Sequence, residues 1–283
     1  MTNLIKQVKR QTGESTVFDI EKLRTSLQKS GASEIEIGQV LERMKPHMHN
    51  DITSKSIYKL AFKYLKQISG TFAARYSLKR ALRDLGPAGF YFERWVAKFL
   101  ESYGYETCVN QIIKGNAVSH EADVIAKKGN DLLWIECKFR NSLESKVAVT
   151  TPMYLLSRIK DISTKEYELF GSKDRFNQGW LITNAYLTSD AIAFGEFYGV
   201  NMLSWDYPAK KSIKTLVDQK ALYPVTCMTS ISKREKNYLL EENCILVKDI
   251  YDNPQILRNN PIINRRNVNK ILKEVKELIY LTE

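Results

Sequence analysis

A chain of 283 residues with 43% hydrophobic and 27% charged residues can bury a core, and its length suits two domains or one domain with appendages. No apolar run approaches the roughly 20 residues of a membrane-spanning helix, MTNLIKQVKR lacks the apolar stretch of a signal peptide, and four scattered cysteines (Cys108, Cys137, Cys227, Cys244) give neither a zinc pattern nor a disulfide framework, so a cytoplasmic protein with no membrane partner is expected. The formal net charge of +11 points to a polyanionic partner, most commonly nucleic acid.

Residues 1–86 read as a strand hairpin followed by a small, mostly helical unit. Ile5, Val8 and Thr16–Phe18 flank a turn at Gln11-Thr12-Gly13-Glu14. Asp19 can cap a helix carrying Leu23 and Leu27, and Gly31-Ala32-Ser33 breaks it. Ile35, Ile37, Val40, Leu41 and Met44 mark a second helix ended by Pro46, and Ile57, Leu60, Ala61, Tyr64 and Leu65 mark a third. A fourth is expected over residues 71–85, with a boundary at Gly86-Pro87.

Residues 87–207 read as α-β-β-β-α-β-α-β, a mixed-sheet α/β layer. Phe90, Trp95, Val96, Phe99 and Leu100 mark the first helix. Strands are expected over 105–113, 122–126 and 132–139, the last two forming a hairpin about Lys128-Gly129-Asn130-Asp131. A helix over 152–162, a strand over 179–183, a helix over 189–198 and a strand over 201–205 follow. Residues 208–283 read as helical, most clearly over 232–242 and 268–281, with a helix-hairpin-helix-like unit suggested over 222–250.

Charge is unevenly spread. Residues 1–87 hold 16 basic and 8 acidic residues, residues 88–207 hold 13 and 15, and residues 208–283 hold 14 and 9. A slightly acidic middle between basic flanks suits a metal-binding core bracketed by polyanion-binding appendages.

The middle carries the chemistry. Glu136 and Lys138 alternate with Cys137, so the acid and the base share one strand face. Asp123 and Glu136 are equidistant from a bend between residues 129 and 130, which brings them opposite each other. Two carboxylates and an ammonium then converge. Asp123 and Glu136, with the main-chain carbonyl of Cys137, would hold Mg²⁺ or Mn²⁺. Lys138 would orient or deprotonate a water and stabilise a charged transition state. Glu93, on the preceding helix, could reach this metal or a second one. His120 could orient a ligand, contact phosphate or simply begin the strand. A plain Glu136–Lys138 surface ion pair is the bland alternative, and His47-x-His49 is expected to be solvent-exposed.

On these residues the chain resembles the PD-(D/E)XK nuclease superfamily, and within it the Mrr-type restriction endonucleases. The matching residues are Gly89–Glu93, Glu121-Ala122-Asp123, Glu136-Cys137-Lys138, Gly179–Asn184 and Leu187–Ala191. Ala122 stands where the superfamily name implies proline, and Glu136-Cys137-Lys138 replaces the Gln-x-Lys of many Mrr relatives and is similar to Holliday-junction-type members. The resemblance implies a Mg²⁺-dependent DNA endonuclease in defence or repair, with Asp123, Glu136, Lys138 and Glu93 catalytic. Such centres cut both strands as pairs, so a homodimer is expected.

Residues 3–85 resemble an ATP-cone, a nucleotide-sensing domain, through Val8-Lys9-Arg10, Phe18-Asp19, Lys22, Ile52-Thr53-Ser54 and Arg75-Tyr76. The resemblance implies that Lys9, Arg10 and Lys22 contact the phosphates of ATP or dATP. Lys9-Arg10-Gln11-Thr12-Gly13 is one residue longer than the family's Lys-Arg-Asp-Gly, and a basic helical DNA-binding unit is the alternative. There is no Walker-type loop, so ATP would regulate rather than be hydrolysed. Arg265, Arg266, Lys270, Lys273 and Lys276 form either a phosphate-binding or a merely solvated face. The rival to an enzyme is a nucleotide-sensing DNA-binding regulator with a non-cutting nuclease fold.

Overall fold

The computed structural model describes residues 7–9, 15–86 and 88–280. β1 (Gln7–Lys9) and β2 (Ser15–Val17) pair antiparallel, with Val8 opposite Thr16. Ile5, Arg10 and the turn at Gln11–Glu14 lie outside the described residues. Asp19 caps α1 (Ile20–Gln28) by accepting from the Glu21 and Lys22 amides. Ser33 and Glu36 form a capping box on α2 (Glu34–Met44), and Thr53 caps α3 (Ser54–Ile68). These helices and Val8 enclose a small core around Leu27, Ile37, Val40 and Leu65.

The expected fourth helix is two, α4 (Gly70–Tyr76) and α5 (Leu78–Arg83), broken at Ser77. The Ser77 hydroxyl donates to the Ala74 carbonyl at 2.8 Å, competing with the helix ladder. The core served changes within α4 itself. Ala73 joins the N-terminal core, whereas Ala74, Leu78, Ala81, Leu82 and Leu85 join the central one. The seam between these two cores therefore runs through α4.

Next come α6 (Phe90–Glu101), β3 (Glu106–Lys114), β4 (Ser119–Lys128), β5 (Asp131–Lys138), β6 (Lys146–Val147), α7 (Thr150–Ile162), β7 (Tyr167–Leu169), β8 (Ser172–Asp174), β9 (Gln178–Thr183), β10 (Tyr186–Leu187), α8 (Ser189–Tyr198) and β11 (Asn201–Leu203). The large elements follow the expected order. The short β6–β10 and β7–β8 pairs, which no periodicity could reveal, are additional.

The central sheet runs β11-β9-β5-β4-β3, antiparallel through the β3-β4-β5 meander and parallel from β5 through β9 to β11. β5 is the middle strand and is buried from Leu132 to Cys137, as a strand covered on both faces must be. On one face Phe92, Trp95 and Val96 of α6 pack against Val124, Leu133 and Ile135. On the other, Leu155 of α7 and Ala191 of α8 pack against Ile125, Trp134 and Leu181.

The C-terminal region contains α9 (Ile213–Lys220), α10 (Lys233–Glu241), α11 (Val247–Asp252), α12 (Gln255–Arg258) and α13 (Val268–Tyr280). It shares the central core with α5 and α6. Trp95 Nε1 donates to the Leu222 carbonyl at 3.1 Å, and Thr226 Oγ1 donates to the Ala81 carbonyl at 2.7 Å. Among the described residues, no helix is long and apolar enough to cross a membrane.

Candidate active site at the fork of the central sheet

The β4–β5 ladder rises from the Lys128–Asp131 pair, around Gly129 at φ +59°, to Val124 opposite Ile135. One more step would set Asp123 opposite Glu136, the register expected from their equal distance to the bend. There the strands part. Asp123 Oδ2 accepts the Cys137 amide at 2.6 Å, so a side-chain carboxylate takes the place of a main-chain acceptor. The β3–β4 ladder breaks at the same level, pairing Val109 with Val124 and Gln111 with Ala122 while skipping Asp123 and Asn110, which has φ +53°. Side-chain alternation slips accordingly. Ala122 and Ile125 face one core, Val124 and Ala126 the other. The fork aims Asp123 out of the ladder.

Glu136 is buried, and its Oε2 accepts Arg158 Nη1 of α7 at 2.8 Å. Burial pushes the pKa of Glu136 up. The negative charge of Asp123 pushes it further, while Arg158 and Lys138 pull it down. Asp123 is likewise raised by burial, against the opposing Cys137 amide and Arg158. Glu93 lies in the first turn of α6, which opens at Gly89 with φ +84°. Burial, reinforced by Asp123, Glu121 and Glu136, pushes Glu93 up to about 7. The structure therefore brings Asp123, Glu136, Lys138 and Glu93 into one electrostatically coupled group. Cys137 faces the α6 core, and burial pushes its thiol well above the ordinary value. Only its main-chain carbonyl is left for the ligand role.

The end of β5 is held from β9. Thr183 Oγ1 donates to the Lys138 carbonyl at 2.5 Å, and Asn184 brackets Arg140 by accepting its amide at 2.8 Å and donating to its carbonyl at 2.9 Å. His120 is engaged by Asp161 of α7. Its Nε2 hydrogen-bonds Asp161 Oδ2 at 2.7 Å, and Asp161 also accepts the Ala117 amide at 2.8 Å, closing the β3–β4 turn. His120 stands at the entry of β4. His47 and His49 are exposed.

Sequence reasoning missed Arg158 and Tyr154. Arg158 Nη2 donates to Tyr154 Oη at 2.8 Å, and its guanidinium lies 4.4 Å from the Tyr154 ring centre. The available signal was their four-residue spacing on the helix that follows the Glu-x-Lys strand, which places them on one face. Glu121, quoted with the motif but given no role, adds negative charge to the group.

Among the described residues, no three His, Cys, Asp or Glu side chains are grouped to hold a metal by themselves. Two carboxylates, a carbonyl and waters remain. That set suits a hard, oxygen-seeking cation such as Mg²⁺, which keeps several waters. The hydrogen bonds above use Oδ2 of Asp123 and Oε2 of Glu136, leaving the other oxygen of each. The mutual repulsion of the buried acids is what a divalent cation would relieve, so the residues fit the ion.

The N-terminal residues stand apart. Lys9 is exposed on β1, where its amide donates to the Ile52 carbonyl at 3.1 Å. Lys22 is exposed on α1, 3.7 Å from Asp19 Oδ2. Arg10 lies outside the described residues.

Residues 87–206 match the family model described as "Restriction endonuclease", and residues 223–279 match "AF1548-like, C-terminal". An uncharacterized protein of Archaeoglobus fulgidus is 28% identical over 184 residues, covering 65% of this chain and 99% of its own. A crystal structure of a protein of unknown function, AF1548, is similar with a TM-score of 0.53 at 29% identity, covering 67% of this chain and 97% of that one. Together with the five-stranded mixed sheet, the family match supports a restriction-endonuclease-like, nuclease-like fold for residues 87–206.

Proposed function

We propose that the protein is a metal-dependent DNA endonuclease of defence or repair, regulated by ATP or a related nucleotide through its N-terminal unit. The observation that carries this is the fork, where Asp123 and Glu136 leave the ladder together beside Lys138 and Glu93. Asp123, Glu136 and the Cys137 carbonyl would hold Mg²⁺ or Mn²⁺. When bound, the ion would lower the pKa of a water and neutralise phosphate charge. Lys138 orients the attacking water and stabilises charge on the scissile phosphate. Arg158 fixes the Glu136 carboxylate. The antiparallel β1–β2 pair and the helices over residues 20–83 are compatible with an ATP-cone, in which Lys9, Arg10 and Lys22 would meet the phosphates.

The test is incubation of the full chain with supercoiled and branched DNA, with Mg²⁺ or Mn²⁺, with and without ATP. Metal-dependent cleavage is expected, falling about 100-fold or more in Asp123→Ala, Glu136→Ala and Lys138→Ala while DNA binding persists. Equal nicking by wild type and Asp123→Ala would remove the assigned site. Lys9→Ala with Lys22→Ala is expected to weaken ATP binding, and native mass spectrometry should show a homodimer.

One observation favours the second reading, a nucleotide-sensing DNA-binding regulator that does not cut. Arg158 already occupies one oxygen of Glu136 with a positive charge. Binding without cleavage of any DNA under every metal would select it.

A further inference from the structure

A separate cluster of positive charge lies outside the group formed by Asp123, Glu136, Lys138 and Glu93. A cavity of about 220 Å³ opens where α3 and α5 meet the C-terminal region, and its lining includes Tyr58, Lys59, Arg80, Asp84, Thr226 and Lys236. The Arg80 guanidinium lies 3.8 Å from the Tyr58 ring centre, and Tyr58 is backed by Tyr76 with ring centres 5.1 Å apart and planes 12° from parallel. This stack fixes the plane of the guanidinium and uses none of its N–H donors. Arg80 Nε is buried with no partner, and among the described residues no hydrogen bond or ion pair engages the rest of the group.

Lys236 is similarly short of acceptors. Its Nζ donates to the Thr226 carbonyl at 2.8 Å, one acceptor for three donors, and burial holds its pKa below the ordinary lysine value. Lys59 stands exposed at the rim. The lining's one acid, Asp84, is taken by Arg83 at 2.9 Å and 2.5 Å. Three cations thus face a space whose only carboxylate is already engaged. Desolvated donors without acceptors are costly. A dianion with several oxygens relieves them better than a single carboxylate, and a planar guanidinium matches phosphate geometry.

We propose that this cavity binds the phosphate group of a small free ligand, clamped by Arg80 and Lys236 with Lys59 at the rim. The space suits a phosphate and a sugar-sized attachment, not a duplex. It is separate from Lys9 and Lys22, which lie on β1 and α1. A phosphate held there would bridge α3, α5 and α10, and so tie the N-terminal unit to the C-terminal region.

The test is calorimetric titration of the full chain with inorganic phosphate, then ATP, then a short duplex. Saturable phosphate binding is expected, at least about tenfold weaker in Arg80→Met and Lys236→Met, the loss of one charge-assisted hydrogen bond, and unchanged in Lys9→Ala with Lys22→Ala. Circular dichroism checks that each variant is folded. In wild type, phosphate should also protect Lys236 from an amine-acylating reagent, a readout that needs no variant. Absent phosphate binding, equal affinity in Arg80→Met, unprotected Lys236, or variants that weaken only duplex binding would each overturn the proposal.

Discussion

Arg158 Nη1 donates both to Glu136 Oε2, at 2.8 Å, and to the Glu121 main-chain oxygen, at 3.1 Å, so one α7 side chain ties together the two strands that part at the fork. Removing it leaves Glu136 buried and without its cation. Arg158→Met should lower the metal-free stability by about 2–3 kcal/mol, below the usual cost of breaking a buried pair because Glu136 can take up a proton. Adding Glu136→Gln should recover most of the loss, since no uncompensated charge then remains. Urea unfolding of the two single variants and the double variant measures the coupling. Additive losses would show that the pair contributes nothing specific.

Much of this site was legible because a hairpin is a local object. The bend at Gly129 and the two-residue alternation fix which positions oppose each other, so Asp123, Glu136 and Lys138 could be brought together from their numbers alone. Arg158 was not legible. On an amphipathic helix, a charged residue between Leu155 and Ile162 reads as solvent-facing until the fork beneath it is known. His120 likewise depended on Asp161, 41 residues away, for its meaning. The apolar stripes of the C-terminal helices showed that each buries a face, but not that they share the core of α6. Ser77 reads as an ordinary helical residue until its bond to Ala74 splits the helix.

Gly179 controls the seat of α7 on the sheet. A Cβ built there would fall 2.7 Å from Ile159 Cγ1 and 3.1 Å from its Cδ1. Gly179→Ala should therefore cost about 1–3 kcal/mol through overpacking. It should also reduce cleavage by displacing Arg158, the neighbour of Ile159. Ile159→Ala in the same chain vacates the colliding atoms and should restore part of both. Thermal midpoints and cleavage rates of the three proteins test this, and failure of the second substitution to rescue either would rule out the α7 contact as the cause.

Asp161 should supply part of the acid limb of stability. The Ala117 amide holds its carboxyl below the ordinary value, with His120 adding to the effect. A depressed aspartate stabilises the fold above its unfolded pKa, about 4. That contribution fades as pH falls from there through the lower folded value. Asp161→Asn removes the ionisation. Its thermal midpoint should lie below wild type at neutral pH and converge with it as pH falls toward 2–3. Cleavage at neutral pH should be unchanged, because Asp161 closes the β3–β4 turn rather than facing the acids. Parallel midpoint curves over this range would refute the assignment.

The C-terminal basic face separates grip from cutting. On α13, Val268, Ile271, Val275 and Leu278 bury one stripe, while Lys270, Lys273 and Lys276 stand exposed, with exposed Arg265 and Arg266 just before the helix. Lys273 is partly neutralised by Glu277 Oε1 at 3.9 Å. If this face meets the DNA backbone, each lost phosphate contact should reduce the slope of log affinity against log salt by about 0.9. Arg265→Ala, Arg266→Ala and Lys270→Ala together should then flatten the slope by about 2–3 and weaken binding equally across sequences. The cleavage rate at saturating DNA should hold, since none of the three lies at the fork. Lys273→Ala alone should change the slope least. A triple variant with the wild-type slope would identify the face as a solvated helix surface and leave the grip to the N-terminal flank.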